Sequence, residues 1–328
     1  MILSSAPPIL PSATGPAPEI SVIIVSWNAC RFLEECLESL SRGVTRSYEV
    51  IVVDNASSDG SANMVTARFP WVTLIQSEEN LGFAKGNNLG IRRSRGRYLA
   101  LINSDVKVLP ACLDRLAAFL DDRPHVGMVG PRIMYDDGRQ QSSCRRFPGL
   151  WNNICELFRL NRLFPRSAFF AGEHMFYFSY DRVCEVDVLV GCFILVRRVA
   201  VEHVGLLDES FWMYGEDLDW CRRCWSAGWK VMFYPGAEAI HYCGASSAKD
   251  PVRFGVAQQQ ARLRFWAKHY SWLAQCWFIA INAIQCCCRL FAAGFEALAN
   301  KPRRQNSAVR VQMQIQCLRA IWECLFVR

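Results

Sequence analysis

Five short runs rich in Val, Ile and Leu mark the chain up to Pro131: SVIIVSW (Ser21–Trp27), EVIVVD (Glu49–Asp54), VTLIQS (Val72–Ser77), YLALINSD (Tyr98–Asp105) and VGMVGP (Val126–Pro131). The first, second and fourth are apolar almost without alternation, and a strand of that kind must be covered on both faces. The segments between them have a different period. CRFLEECLESLS sets Phe32, Leu33, Cys36, Leu37 and Leu40 at helical spacing, and helices are also expected at Ser61–Phe69, in NLGFAKGNNLGIRRS and at Pro110–Leu120. Buried strands alternating with amphipathic helices predict an α/β fold, a mostly parallel sheet flanked by helices. A chain of 328 residues, 52% hydrophobic and 20% charged, has the material for such a core.

Sheets of this kind bind ligands beyond the carboxyl ends of their strands. Polar residues gather at three of those ends: Ser26 and Asn28, then Asp54 and Asn55, then Asn103, Ser104 and Asp105. Each group alone reads as turn chemistry, but three coincident edges favour a site. No GxGxxG and no Walker sequence follows the first strand, which argues against a dinucleotide dehydrogenase and a P-loop NTPase. A second polar concentration, MYGEDLDW, holds Glu216, Asp217 and Asp219 among aromatic residues. Acids in a first helical turn suit the helix dipole, so on this segment alone a cap and a site explain them equally well.

The formal net charge of +7 is unevenly spread. From Pro251 onward there are 11 Lys and Arg against Glu296 and Glu323, so the basic character belongs to the last quarter. Within it, the stretch between Lys268 and Arg289 carries no Asp, Glu, Lys or Arg, which makes it a membrane-span candidate by length. Ser271, Gln275, Asn282 and Gln285 and the basic flanks on both sides argue against spanning. Beyond it, Val311, Ile315, Leu318, Trp322 and Leu325 recur at helical spacing, with Arg310 and Gln314 off that stripe. The expectation is an amphipathic tail lying on an anionic membrane surface, with packing against the rest of the chain or a second subunit as the other possibility. The first residues, with no basic segment and with Pro-broken apolar stretches, read as a flexible leader rather than a signal peptide. The 16 cysteines then read as reduced cytosolic thiols, and Cys221-x-x-Cys224, lacking a second pair, as packing rather than a zinc site. The expected division is a leader at 1–18, a catalytic domain at 19–247 and a basic helical tail at 248–328.

Taken in order, SVIIVSWN, VVDNASSDGS, ENLGFAKGNNLGI, LINSD and FWMYGEDLDWCRRCWSAGW resemble the family-two glycosyltransferases of the GT-A fold, nearest the bacterial rhamnosyltransferase-like branch. The resemblance runs from about Ser21 to Ser247. It implies transfer of one sugar, with inversion, from a nucleoside-diphosphate-sugar to an acceptor hydroxyl, in cell-surface polysaccharide assembly. dTDP-rhamnose is the favoured donor and a UDP-sugar the next. Asp54, with Ser26, Asn28 and Asn103, would hold the nucleotide. NSD stands where relatives carry an Asp-x-Asp-like motif, so Asp105 alone is carried over as a metal carboxylate, with His241 as a second ligand for Mn²⁺ or Mg²⁺. The resemblance makes Asp217 the base, oriented by Glu216 or Asp219. Gly191, Trp212, Tyr214 and Trp220 would face the acceptor, a glycan or lipid-linked one. CRRCW replaces the Gln-x-x-Arg-Trp of processive synthases, which favours single addition. The implied setting is the cytoplasmic face of a membrane, with no nucleic-acid partner; donor, acceptor and oligomeric state are not legible. Two other classes stay open: an inactive sugar-nucleotide-binding module, and a sugar-1-phosphate nucleotidyltransferase, against which the lack of a Gly-rich basic loop after the first strand counts.

Overall fold

The computed structural model of the chain describes residues 16–242, 250–299 and 304–326. The leader up to residue 15 and the boundary expected at 247/248 lie outside them. The strands are β1 Ile20–Ser26, β2 Tyr48–Asp54, β3 Thr73–Gln76, β4 Tyr98–Asn103, β5 Val106–Val108, β6 Val126–Met134, β7 Cys144–Arg145, β8 Cys184–Glu185, β9 Val188–Leu189, β10 Phe193–Arg197 and β11 Lys230–His241. The helices are α1 Cys30–Gly43, α2 Ser61–Arg68, α3 Gly82–Arg93, α4 Cys112–Asp121, α5 Leu150–Leu157, α6 Leu160–Leu163, α7 Arg198–Val204, α8 Glu216–Ser226, α9 Pro251–His269, α10 Trp272–Ala299 and α11 Arg304–Phe326.

The main sheet runs β3-β2-β1-β4-β10-β6-β11-β5, with β8 added on β11. β3, β2, β1 and β4 are parallel, as are β6 and β11, while β10 is antiparallel to both of its neighbours. Continuous apolarity in β1 has the expected cause. Val22 and Ile24 pack with Leu33, Leu37 and Leu40 of α1 on one face, and Ile23 packs with Ala84 and Ile91 of α3 on the other. Each such side chain, fully buried, contributes roughly 1.5–3 kcal/mol of transfer free energy.

Two expectations change here. YLALINSD ends as a strand at Asn103; Ser104 and Asp105 form a turn, and β5 leaves in a new direction to pair with β11. The apolar run VLVGCFILVRR (Val188–Arg198), which by its composition reads as a single strand around Gly191, is not one. β9 pairs with β7 in a separate two-stranded sheet, and only β10 enters the main one, so the backbone breaks at Gly191.

The last three helices share their own core, in which Trp266 of α9 stacks on Phe278 of α10 with centroids 4.5 Å apart. α10 is built inside out. Gln275, Asn282 and Gln285 are buried and donate to Tyr270, Phe278 and Asn153 carbonyls. Leu273, Trp277, Ile284, Phe291 and Phe295, recurring at helical spacing, are exposed. α11 packs through Gln314, Cys317, Ala320 and Ile321, so the stripe expected to be apolar turns outward at Ile315 and Trp322. The side chain of Leu325 lies outside the described ones.

Candidate active site

Register brings the polar strand ends together. Ser26 lies beside Asp54 across β1 and β2, and Val25 lies beside Asn103 across β1 and β4. A cavity of about 330 Å³ opens at this edge, walled by Asn55, Asn103, Asp105, Glu216, Asp217 and His241 among others. Buried side-chain atoms without a protein partner concentrate around it: Ser26 Oγ, Asp54 Oδ1, Asn55 Oδ1, Asn103 Oδ1 and Glu216 Oε2, among the described residues. A polar atom buried unpaired costs on the order of 1–3 kcal/mol, so a chain that keeps several at one place is shaped for a polar ligand there. Asp54 uses its other oxygen to accept from Ser57 N–H at 3.1 Å. Asn28, at φ 50°, accepts from Ser58 N–H at 2.8 Å and so ties the β1 and β2 turns together.

Asp105 and His241 meet at the far end of the same edge. His241 Nε2 is 3.2 Å from Asp105 Oδ1, and its Nδ1 is 3.1 Å from Gln141 Oε1. Burial disfavours the charged ring, but hydrogen bonds to Asp105 and Cys192 outweigh it and push the imidazole up to about 11.

α8 supplies the opposite wall. Its N-cap, Gly215, has φ 81°, a left-handed conformation that suits glycine and lets the chain turn sharply from Tyr214 into the helix. Asp217 Oδ2 accepts from Gly191 N–H and Oδ1 from Leu218 N–H, both at 2.8 Å. The break between β9 and β10 thus points a backbone donor at this carboxylate. Burial raises the Asp217 carboxyl, against those two N–H groups and Arg145, which lower it. Burial, then the neighbouring Asp217 charge, push Glu216 well above the carboxylate range. Burial thus raises both acids, Glu216 the more strongly, and of the two only Asp217 has hydrogen-bond donors on both oxygens.

Asp219 turns away from the cavity. Its carboxylate is wholly buried and takes His269 Nε2 at 2.7 Å, Lys268 Nζ at 2.8 Å and Arg223 Nε at 2.8 Å. It pins α8 to the end of α9. Trp220, expected beside the acceptor, is a core residue instead: fully buried, its indole donates to Gly205 O at 2.9 Å. Its ring packs with Leu99, Leu101 and Ile194 in the core beneath the sheet rather than lining the cavity. Trp212 and Tyr214 do line the cavity. Trp212 O also accepts from Phe83 N–H at 2.9 Å, an approach that only a residue without Cβ at Gly82 permits. Arg145 and Gln141 also line the cavity and were not legible, because nothing in SSCRRFPG or GRQQSS marks either side chain for it.

Residues 21–183 match the family model described as glycosyl transferase family 2. The succinoglycan biosynthesis protein ExoO of Rhizobium meliloti is 31% identical over 277 residues, 78% of this chain and 71% of its own length. The chain belongs to glycosyl transferase family 2. Within the family it sits in a rhamnosyltransferase-like branch: the N-acetylglucosaminyl-diphospho-decaprenol L-rhamnosyltransferase of Mycobacterium tuberculosis is 29% identical over 269 residues, 77% of this chain and 86% of the relative. The fold of this glycosyltransferase is GT-A. It matches that of a mannosyltransferase from Pyrobaculum calidifontis in complex with GDP-Man and Mn²⁺ at a TM-score of 0.55 and 18% identity, over 99% of this chain and 92% of that one. GalNAc-T7 with UDP, GalNAc and Mn²⁺ matches at 0.53 and 16%, over 77% of this chain and 51% of that one.

Proposed function

We propose that this family-two glycosyltransferase transfers a single sugar, with inversion, from a nucleoside-diphosphate-sugar to a hydroxyl of a lipid-linked acceptor, with L-rhamnose from its dTDP donor as the first candidate and a UDP-sugar the next. The observation that carries it is Asp217: a carboxylate held by two backbone N–H groups on the cavity wall facing the unpaired polar atoms of the β1, β2 and β4 ends. In this reading Ser26, Asp54 and Asn103 bind the nucleotide. Asp217 takes the proton of the acceptor hydroxyl as its oxygen bonds to the anomeric carbon and the bond to the diphosphate breaks. Glu216, whose Oε2 is buried without a protein partner, hydrogen-bonds a sugar hydroxyl, and Trp212 and Tyr214 offer ring faces.

Asp105 and His241 fit a divalent cation. Among the described residues no group of three His, Cys, Asp or Glu side chains is placed to hold a metal ion, so the remaining ligands would be substrate oxygens. Such a cation, when bound, supplies positive charge for the departing diphosphate. The lipid named in the mycobacterial relative, an N-acetylglucosaminyl-diphospho-decaprenol, and the exposed apolar side of α10 support a lipid-linked acceptor reached from the cytoplasmic face of an anionic membrane.

The test is turnover of dTDP- and UDP-sugars with Mn²⁺ and a prenyl-diphosphate-linked sugar, with the anomeric configuration of the product read by NMR. A product of retained configuration overturns inversion. Pyrophosphate release from dTTP or UTP with a sugar 1-phosphate would make the chain a nucleotidyltransferase, and nucleotide binding without turnover of any donor an inactive module.

A further inference from the structure

A second cavity, about 490 Å³, lies between the α5–α6 segment and the helices α10 and α11. Its walls carry Arg159, Arg162, Arg289 and Arg310 against two acids, Glu156 and Glu296. Both acids are already matched. Glu156 has Arg262 and His174 at 3.6 Å each, and Glu296 has Arg310 at 3.1 Å. Arg159, Arg162 and Arg289, all exposed at the cavity, form no ion pair with any described carboxylate, although Arg289 helps lower the Glu156 carboxyl. Gln314, only 4% exposed, lines the same cavity with its Oε1 unpartnered among the described residues.

The cavity also adjoins the catalytic one. Arg145, on the wall of the first, donates to His174 Nδ1, and His174 lines the second. A guanidinium cannot accept, so this bond leaves the ring proton on Nε2, toward Glu156. The rims are apolar. Phe158 and Leu163, each next to one of the arginines, are 67% and 69% exposed, and Phe291 and Phe295 on the α10 wall are 79% and 66% exposed. Three exposed arginines lining the cavity without an ion-pair partner, with bare Phe and Leu beside them, suit an amphiphile with a multiply charged anionic head and a hydrocarbon chain.

We infer that this cavity holds the diphosphate of a prenyl-linked acceptor, whose sugar then reaches past Arg145 toward Asp217 while its chain lies on Phe158, Leu163, Phe291 and Phe295. The inference rests on the lipid-linked acceptor proposed above and names the residues that would recognise it.

The experiment uses farnesyl diphosphate as probe, titrated into the full chain and into the double variant Arg162→Gln/Arg289→Gln, with dTDP and UDP thermal shifts confirming that both are folded. The expected result is at least a tenfold loss of farnesyl diphosphate affinity in the variant, with flotation on phosphatidylglycerol vesicles unchanged. Equal affinity in the two proteins overturns the site, as does variant flotation lost while farnesyl diphosphate affinity stays, which would make the arginines a phospholipid contact. Binding needs no turnover, so the two readings separate. Arginine-dependent binding without transfer to any prenyl-linked sugar supports the site and sinks the acceptor class. Transfer to such a sugar with KM unchanged in the variant sinks the site alone.

Discussion

Asp217 and Asp219 stand two residues apart in the first turn of α8, and their surroundings are opposite. Asp217 faces a cavity, its oxygens held by backbone N–H groups, its carboxyl raised by burial. Asp219 faces protein and three cationic side chains; burial works against its charge, yet the bonds to His269, Lys268 and Arg223 hold it down at about 2. Under the proposed function, the same residue type serves reactivity in one place and cohesion in the other. The difference lies in what occupies the space around each carboxylate, because the helix dipole acts on both alike.

The sharpest way to break this comparison is to neutralise each side. Asp217→Asn keeps the shape and loses the basicity, so transfer should fall by about 10²–10⁴ with nucleoside diphosphate affinity unchanged. Turnover at the wild-type rate would move the base to Glu216. Asp219→Ala should act on the fold instead, leaving Arg223, Lys268 and His269 around a void and costing about 3–5 kcal/mol in urea unfolding. If that variant unfolds like the wild type but cannot transfer sugar, the division of labour drawn here is wrong.

Asp105 extends the comparison to a carboxylate with one imidazole partner. Asp105→Ala should erase at least about tenfold of the gain in nucleotide affinity that Mn²⁺ confers, by calorimetry with and without metal. Equal metal enhancement in both proteins removes Asp105 from the site.

The smallest effect is a matter of sign. Glu216 has a raised folded pKa, so its contribution to stability is complete below its unfolded value and is lost as pH rises toward the folded one. Asp219 runs the other way, its contribution present above the unfolded value and lost as pH falls through about 2. Glu216→Gln should therefore gain in Tm relative to wild type as pH is raised from 5 to 8. A constant difference across that range would contradict the burial of an uncompensated carboxyl.

The parallel half of the sheet was legible because β1, β2 and β4 are apolar on both faces, a pattern that few other structures explain. Three of its ends stood out for the same reason: Ser26, Asp54 and Asn103 are polar where such strands are otherwise apolar. Trp220 was misread because its place in an aromatic-rich stretch does not tell whether a ring lines the cavity or packs in the core behind it. The stripe Val311, Ile315, Leu318, Trp322 was read as a coherent face, but nothing in its spacing tells which side of α11 another helix will cover. Arg145 and His174 come together from segments without periodicity, so only the fold reveals their bond.

The antiparallel β10 bears on how this protein is made. It fills the seat between β4 and β6, yet it is synthesised about 60 residues after β6 ends, and β11 follows later still. A ribosome that has finished the stretch matched by the family model has therefore exposed β4 and β6 with open edges and no strand to join them. Until Arg197 emerges, those edges are templates for pairing with any other extended chain, the hazard that long-range sheet topologies carry during synthesis. A fragment ending at residue 183 should aggregate, and one that runs past His241 should be the shortest in which the central sheet can close.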